Sequence, residues 1–174
     1  MRSGRRRGGA ARRIRSGIRV FGFGKRDAFE RKAAPDEVTL RALAWVENGV
    51  AKPRPQGWER VESSLRFLPE FAPMLEGLER YSHALVTFWM DLAVDAPEKP
   101  AQVTLKSGRR YGILATRSQL RPNHLGVSVV RVLGVEGAVV RVVGLDAING
   151  TPVLDIKPYL PEYDAEPGAT IPNG

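Results

Sequence analysis

Three short polar clusters interrupt the apolar body of the chain, and their residue types set the chemistry it can do. The first, residues 115–124, reads ATRSQLRPNH. Arg117 and Arg121 carry planar forks that bind carboxylate or phosphate through two parallel hydrogen bonds, and Asn123 adds further donors. A loop this dense in donors suits ligand capture better than simple solvation. The second, LDAINGT at 145–151, holds an Asn149-Gly150 turn pair. There Asp146 can accept from a ribose hydroxyl or simply shape the turn, and the residues alone leave both readings open. The third, PVLDIKPY at 152–159, alternates Asp155 and Lys157 with apolar neighbours. That alternation puts the two on one strand face in register with Thr151 and Val153. They can also pair with each other, which in water contributes only about 0–1 kcal/mol.

Other chemistries are excluded. The chain has no cysteine and two histidines, His83 and His124, so thiolate sites, iron–sulfur clusters and a His-rich metal centre are ruled out. No G-x-S-x-G or H-E-x-x-H occurs. Ser82-His83 would be a nucleophile and base, but neighbours on a strand point to opposite faces and are not expected to bond as a dyad. Gly22-Phe23-Gly24-Lys25 lacks the spacing and the following Ser/Thr of a phosphate loop. The longest apolar runs are short and broken, so no membrane-spanning helix is expected.

The elements that must position the clusters are mostly strands. Residues 39–46, 58–67, 82–92, 111–116 and 151–156 are rich in branched and aromatic residues. Residues 127–135 and 138–145 are Val-rich and read as a hairpin about Glu136-Gly137. That turn sets Val135 against Ala138 and Arg131 against Val142. Arg131 and Arg141 then lie on opposite faces unless a bulge intervenes. The one helix is expected from Leu68-Pro69-Glu70 onward, with Phe71, Met74, Leu75 and Leu78 on one face and Gly77 at its end. Lys52-Pro53-Arg54-Pro55-Gln56-Gly57 is too Pro-rich for regular structure. One short helix among about seven strands predicts a mainly β chain, a barrel or sandwich and not a Rossmann sheet.

Charge divides the chain further. The 174 residues carry a net +8, yet residues 1–32 alone hold twelve Lys/Arg and two acids. Residues 33–174 hold fifteen Lys/Arg and seventeen acids, a net −2. The expected organisation is a basic Arg/Gly-rich arm at 1–37, a body at 38–161 and a flexible tail at 162–174. The arm has too few large apolar residues to recover its ordering entropy. It reads as a solvated tail, as an RNA-capturing arm, or, being Arg-rich and acid-poor, as something similar to an organelle transit peptide.

A longer pattern carries more. The strings YGILATRSQLRPNHLGVSVVRVLGVEG and VVGLDAINGTPVLDIKPYLP, with LPEFAPMLEGLERYSHALVTFWM upstream, resemble the signature of the TsaA-like (YaeB-type) tRNA methyltransferase family, over residues 39–161. The resemblance implies a β-barrel methyltransferase that uses S-adenosylmethionine. It implies action on N6 of N6-threonylcarbamoyladenosine beside the tRNA anticodon, as a cytoplasmic homodimer whose cofactor lies near the subunit interface. By position, the resemblance implies cofactor contacts at Arg54, Asp91, Leu92, Arg117, Val127, Asp146, Ala147, Ile148 and Asn149. Arg121 and Asn123 are the expected substrate-binding residues, and Asp155, Lys157 and Tyr159 the expected positioning or acid–base residues. No metal is expected. The chain departs from the family pattern at Asp91 (usually His), Asn149 (usually Asp) and His124 (usually Pro). The other readings of the same residues are a weak or inactive module that binds the cofactor or RNA, and a methyltransferase for a small molecule.

Overall fold

The computed structural model describes residues 35–96 and 100–171. The basic arm therefore lies outside the described residues apart from 35–37. The chain from Thr39 onward forms one unit, while residues 35–38 take no helix or strand.

Among the described residues eight strands are present: β1 (Ala44–Glu47), β2 (Glu62–Phe67), β3 (His83–Trp89), β4 (Gln102–Thr104), β5 (Arg110–Gly112), β6 (Leu125–Glu136), β7 (Val139–Val143) and β8 (Pro152–Pro158). Six of them close into a barrel in the order β1-β2-β7-β6-β3-β8, and β4 and β5 form a separate two-stranded hairpin. Every pairing is antiparallel. Closure leaves the barrel no free edge. Alternation explains its filling: Ala44, Val46, Leu65, Phe67, Ala84, Val86, Phe88, Val130, Val140, Val142 and Val153 point inward and are buried. The mainly β barrel expected from the sequence is the fold observed.

Several expected elements shift, each for a local reason. The strand at 39–46 shortens to β1. The run at 58–67 opens with a 3-10 turn, Trp58–Arg60, entered through Gly57 at φ 85°, before β2 begins. The expected helix after Leu68 is a 3-10 helix, Pro69–Leu75, with Pro73 inside it. A proline there removes the donor an α-helix needs. The short α-helix falls instead at Pro161–Asp164 (α1), where a flexible tail was expected. The run at 111–116 is β5 followed by a 3-10 turn, Ile113–Ala115.

Two β-bulges change which side chains share a face. In the β6–β7 hairpin Glu136 pairs with Val139, so the two-residue loop is Gly137-Ala138, with Gly137 at φ 58°. Val135 therefore faces Val140, not Ala138, and Arg131 faces Val143, not Val142. The register shift between Val132 and Gly134 lets Arg131 and Arg141 both be exposed. On β8, Asp155 pairs with Thr87 but Val153 with Phe88, so Leu154 is an extra residue. Val153 and Thr151 are buried, whereas Asp155 and Lys157 stand on the outer wall and pair with each other. The shared face expected for all four is overturned by that bulge.

Candidate functional site

A cavity of about 150 Å3 opens at the end of the barrel where β3 leaves and β8 begins. Four segments build it. The Pro-rich turn supplies Pro53 and Trp58. The end of β3 and the 3-10 turn Asp91–Ala93 after it supply Phe88, Met90, Asp91, Leu92, Ala93 and Ala96. The polar loop before β6 supplies Gln119. The loop between β7 and β8 supplies Asp146, Ala147, Ile148 and Thr151.

Among the described residues the lining holds two carboxylates, two aromatic rings and no Lys, Arg or His. An apolar slot with negative groups and no positive one suits a ligand that joins a flat ring to a cation. Asp146 is held in place by the hydroxyl of Ser128, which is buried and donates to its Oδ1. The structure thus brings together Asp91, Leu92, Asp146, Ala147 and Ile148 of the residues expected from the sequence.

Asn149 serves the loop itself. Its Oδ1 accepts from Asn48 N at 3.0 Å, and its N–H donates to Val50 O at 2.8 Å. Arg54 does not line the cavity; its guanidinium lies 4.9 Å from the Trp58 ring centroid and donates to Gly57 O. Trp58 Nε1 returns a bond to Arg54 O at 2.9 Å. Arg117 donates to the backbone oxygen of Val127 at 2.9 Å, and Val127 lies exposed on the outer barrel wall opposite Thr87. Arg121 is half-buried and Asn123 exposed on the loop that carries Gln119. Asp155, Lys157 and Tyr159 do not line the cavity. The first two are on the outer wall, and Tyr159 is half-buried with its N–H bonded to His83 O.

Residues without a sequence-level role hold the cavity in shape. Asn48 Nδ2 donates to Ala147 O and Ser63 Oγ, each at 3.0 Å, and its Oδ1 accepts from Val50 N. The Asn48-Gly49 turn signal hid this function. His124, 5% exposed with φ 51°, bonds through Nδ1 to Gln119 O at 3.0 Å. A carbonyl only accepts, so Nδ1 carries the proton. The oxygen of His124 accepts from Met90 N at 2.8 Å. One residue thereby joins two cavity walls. Trp58, Phe88 and Gln119 also went unread, the first two because aromatic residues in a strand-like run look like core.

Ser82 Oγ lies 2.9 Å from His83 Nδ1, contrary to expectation, because Ser82 precedes β3 and strand alternation does not bind it. Neither residue lines the cavity, and among the described residues no third group bonds to the His83 ring. Away from the cavity, Glu47 is held below the usual carboxylate range by its two-pronged bond to Arg66. Glu70 is lowered by a bond to its own backbone N–H and by Arg41. Among the described residues no group of three His, Cys, Asp or Glu is placed to hold a metal, and no helix is long and apolar enough to cross a membrane.

Comparison with known proteins follows the same outline. Residues 46–165 match the family model described as "tRNA-methyltransferase O N-terminal domain". An S-adenosyl-L-methionine-binding protein of Archaeoglobus fulgidus is 38% identical over 112 residues, covering 64% of this chain and 79% of that protein. The human tRNA (adenine(37)-N6)-methyltransferase is 40% identical over 95 residues, 52% of this chain and 21% of that protein. A crystal structure of TrmO from Pseudomonas aeruginosa superposes with a TM-score of 0.61 at 33% identity, over 77% of this chain and 61% of that one. The chain spans only 29% of a second Archaeoglobus fulgidus relative.

Proposed function

The chain belongs to the family of tRNA-methyltransferase O N-terminal domains, and we propose from this that it moves a methyl group from S-adenosylmethionine to N6 of a tRNA adenosine. The acceptor we infer is N6-threonylcarbamoyladenosine beside the anticodon. The observation that carries the reading is the barrel-end cavity, whose donor set fits this cofactor: Asp91 and Asp146 suit a sulfonium, and Trp58 and Phe88 suit an adenine ring. When bound, that cofactor supplies a methyl group already activated by its positive sulfur.

The chain's own residues then have to orient and exclude. Half-buried Asp91 and exposed Asp146 would favour the positive centre by their opposite charge, Asp146 the more weakly because water screens it. Asn48 and His124 fix the two loops, so little ordering is left to occur at the moment of reaction. Arg121 and Asn123 are assigned to the acceptor's carboxylate or to backbone phosphate. An anticodon-loop base is already single-stranded, so its extrusion into a pocket costs little. The acceptor nitrogen sheds a proton as the new bond forms, and Asp155, Lys157 and Tyr159 are assigned to positioning or to that proton.

Their place on the outer wall bears on assembly. A cavity of about 150 Å3 is small beside the roughly 300–1,000 Å3 of sites that enclose drug-sized ligands. Trp89, Val127 and Val129 leave the adjoining wall apolar and exposed, at 38%, 44% and 49%. These two features support a homodimer in which a second copy covers that wall and completes the site around Arg117, Val127 and Asp155. A cytoplasmic location goes with a tRNA substrate.

The test uses purified protein, S-adenosylmethionine and tRNA that carries threonylcarbamoyladenosine. After digestion to nucleosides, mass spectrometry should show that nucleoside gaining one methyl group. Cofactor binding without transfer would make the chain a binding module, the reading favoured by the description of the Archaeoglobus fulgidus relative.

A further inference from the structure

Between residues 100 and 135 the sequence has six Lys/Arg and not one Asp or Glu, while the remainder of residues 33–174 has nine Lys/Arg and seventeen acids. This acid-free stretch forms the β4–β5 hairpin, the 3-10 turn Ile113–Ala115, the polar loop and most of β6. Outside it, Arg41, Arg60, Arg66, Arg80, Arg141 and Lys157 each lie within 4.0 Å of a carboxylate. Inside it, Lys106, Arg110, Arg117, Arg121 and Arg131 form no ion pair among the described residues. Lys106 and Arg110 are exposed near the hairpin tip, in and beside the turn of Gly108 at φ 78°.

A run of like charges with no acid among them repels itself in the folded chain. Such a run is offset when a ligand supplies the anions. This one also leads somewhere. It passes from the hairpin through Ile113, whose N–H bonds to Ala101 O, into the loop that contributes Gln119 to the cavity. Among the described residues the cavity lining is negative and carries no cation. A polyanion whose one reacting unit enters the cavity would be held along this strip and kept off the acidic remainder of the body.

We propose that the β4–β5 hairpin, with the loop that follows it, is the docking strip for the phosphate backbone of the substrate RNA. This rests on the functional reading above and adds to it the surface that carries the stem beside the reacting loop. Lys106 and Arg110 contact phosphates, and Arg121 continues the track towards the loop that lines the cavity. Phosphate contacts position a nucleic acid without reading its sequence, so the strip sets affinity and register, not base choice.

The experiment compares the full chain with its Lys106→Ala/Arg110→Ala double variant, using total tRNA and, separately, phosphatidylserine vesicles. Both side chains are exposed and unpaired, so thermal melting should be unchanged. Each lost phosphate contact removes about 0.9 from the slope of log affinity against log salt. The variant should bind tRNA about tenfold more weakly, with a slope smaller by about two. Its KM for tRNA should rise while kcat and S-adenosylmethionine affinity stay at wild-type values. Equal tRNA affinity and slope in a variant whose parent methylates tRNA would overturn the docking strip alone. A parent that binds vesicles in preference to tRNA, and loses that preference in the variant, would overturn it in favour of a lipid surface. A parent that neither binds nor methylates tRNA would sink the functional reading and this proposal together.

Discussion

Asn48 shows how much of the site depends on a residue that never touches the ligand space. Its side chain makes three hydrogen bonds, to Ala147 O, Ser63 Oγ and Val50 N. Ser63 is itself 4% exposed. Removing the amide leaves partly buried partners without bonds, at roughly 1–3 kcal/mol. Asn48→Ala should therefore lower the urea midpoint and also weaken S-adenosylmethionine binding in calorimetry, because Ala147 lines the cavity. Loss of stability with undiminished cofactor affinity would show that the loop keeps its shape unaided. Asp146 and Asp91 were legible because their loops carry a recognisable string. Asn48 and His124 were not, because a hydrogen bond across 99 residues of sequence leaves no local trace.

At the scale of the elements, strands β3 and β6 govern the cavity floor through one glycine. Gly126 sits opposite Phe88, and a Cβ built on it would lie 2.3 Å from the Phe88 ring. Real side chains never approach so closely, so Gly126→Ala must push the ring aside. Overpacking of this kind costs about 1–3 kcal/mol, and the displaced ring lines the cavity. The variant should lose thermal stability and cofactor affinity together, whereas Gly168→Ala should change neither, since the nearest atom there is the end of the Glu166 side chain at 3.3 Å. Strand pairing also sets a pH response. The Arg66 bond lowers the Glu47 pKa from its ordinary 4.5, so this contribution is present above that value and lost as pH falls through the folded-state value. The urea midpoint of wild type should exceed that of Glu47→Gln near neutrality, and the gap should close on acidification below pH 4.5. The strands themselves were legible from alternation. The bulges at Leu133 and Leu154 were not, because an inserted residue changes faces without changing composition. The apolar spacing over Pro69–Leu75 serves either kind of helix, and Pro73 inside it decides for the 3-10 form.

For the molecule as a whole, the net +8 conceals three charge zones: an arm of net +10 at residues 1–32, an acid-free strip at 100–135, and an acidic remainder that contains the cavity. On the proposed function, cofactor binding falls to the last zone and polyanion binding to the first two. Deleting residues 1–32 should then flatten the salt dependence of tRNA affinity, by no more than about 0.9 for each arm cation that meets a phosphate. Binding of S-adenosylmethionine should be untouched, because the described residues that line the cavity lie between 53 and 151, within the unit that begins at Thr39. Combining the deletion with Lys106→Ala/Arg110→Ala gives the sharper measurement. Groups that neutralise separate phosphates release separate counterions, so the two slope losses should add. A combined loss smaller than the sum would mean that arm and hairpin compete for the same stretch of backbone. A fall in cofactor affinity on deletion alone would mean that the arm reaches the cavity, and the separation of the charge zones by function would be wrong.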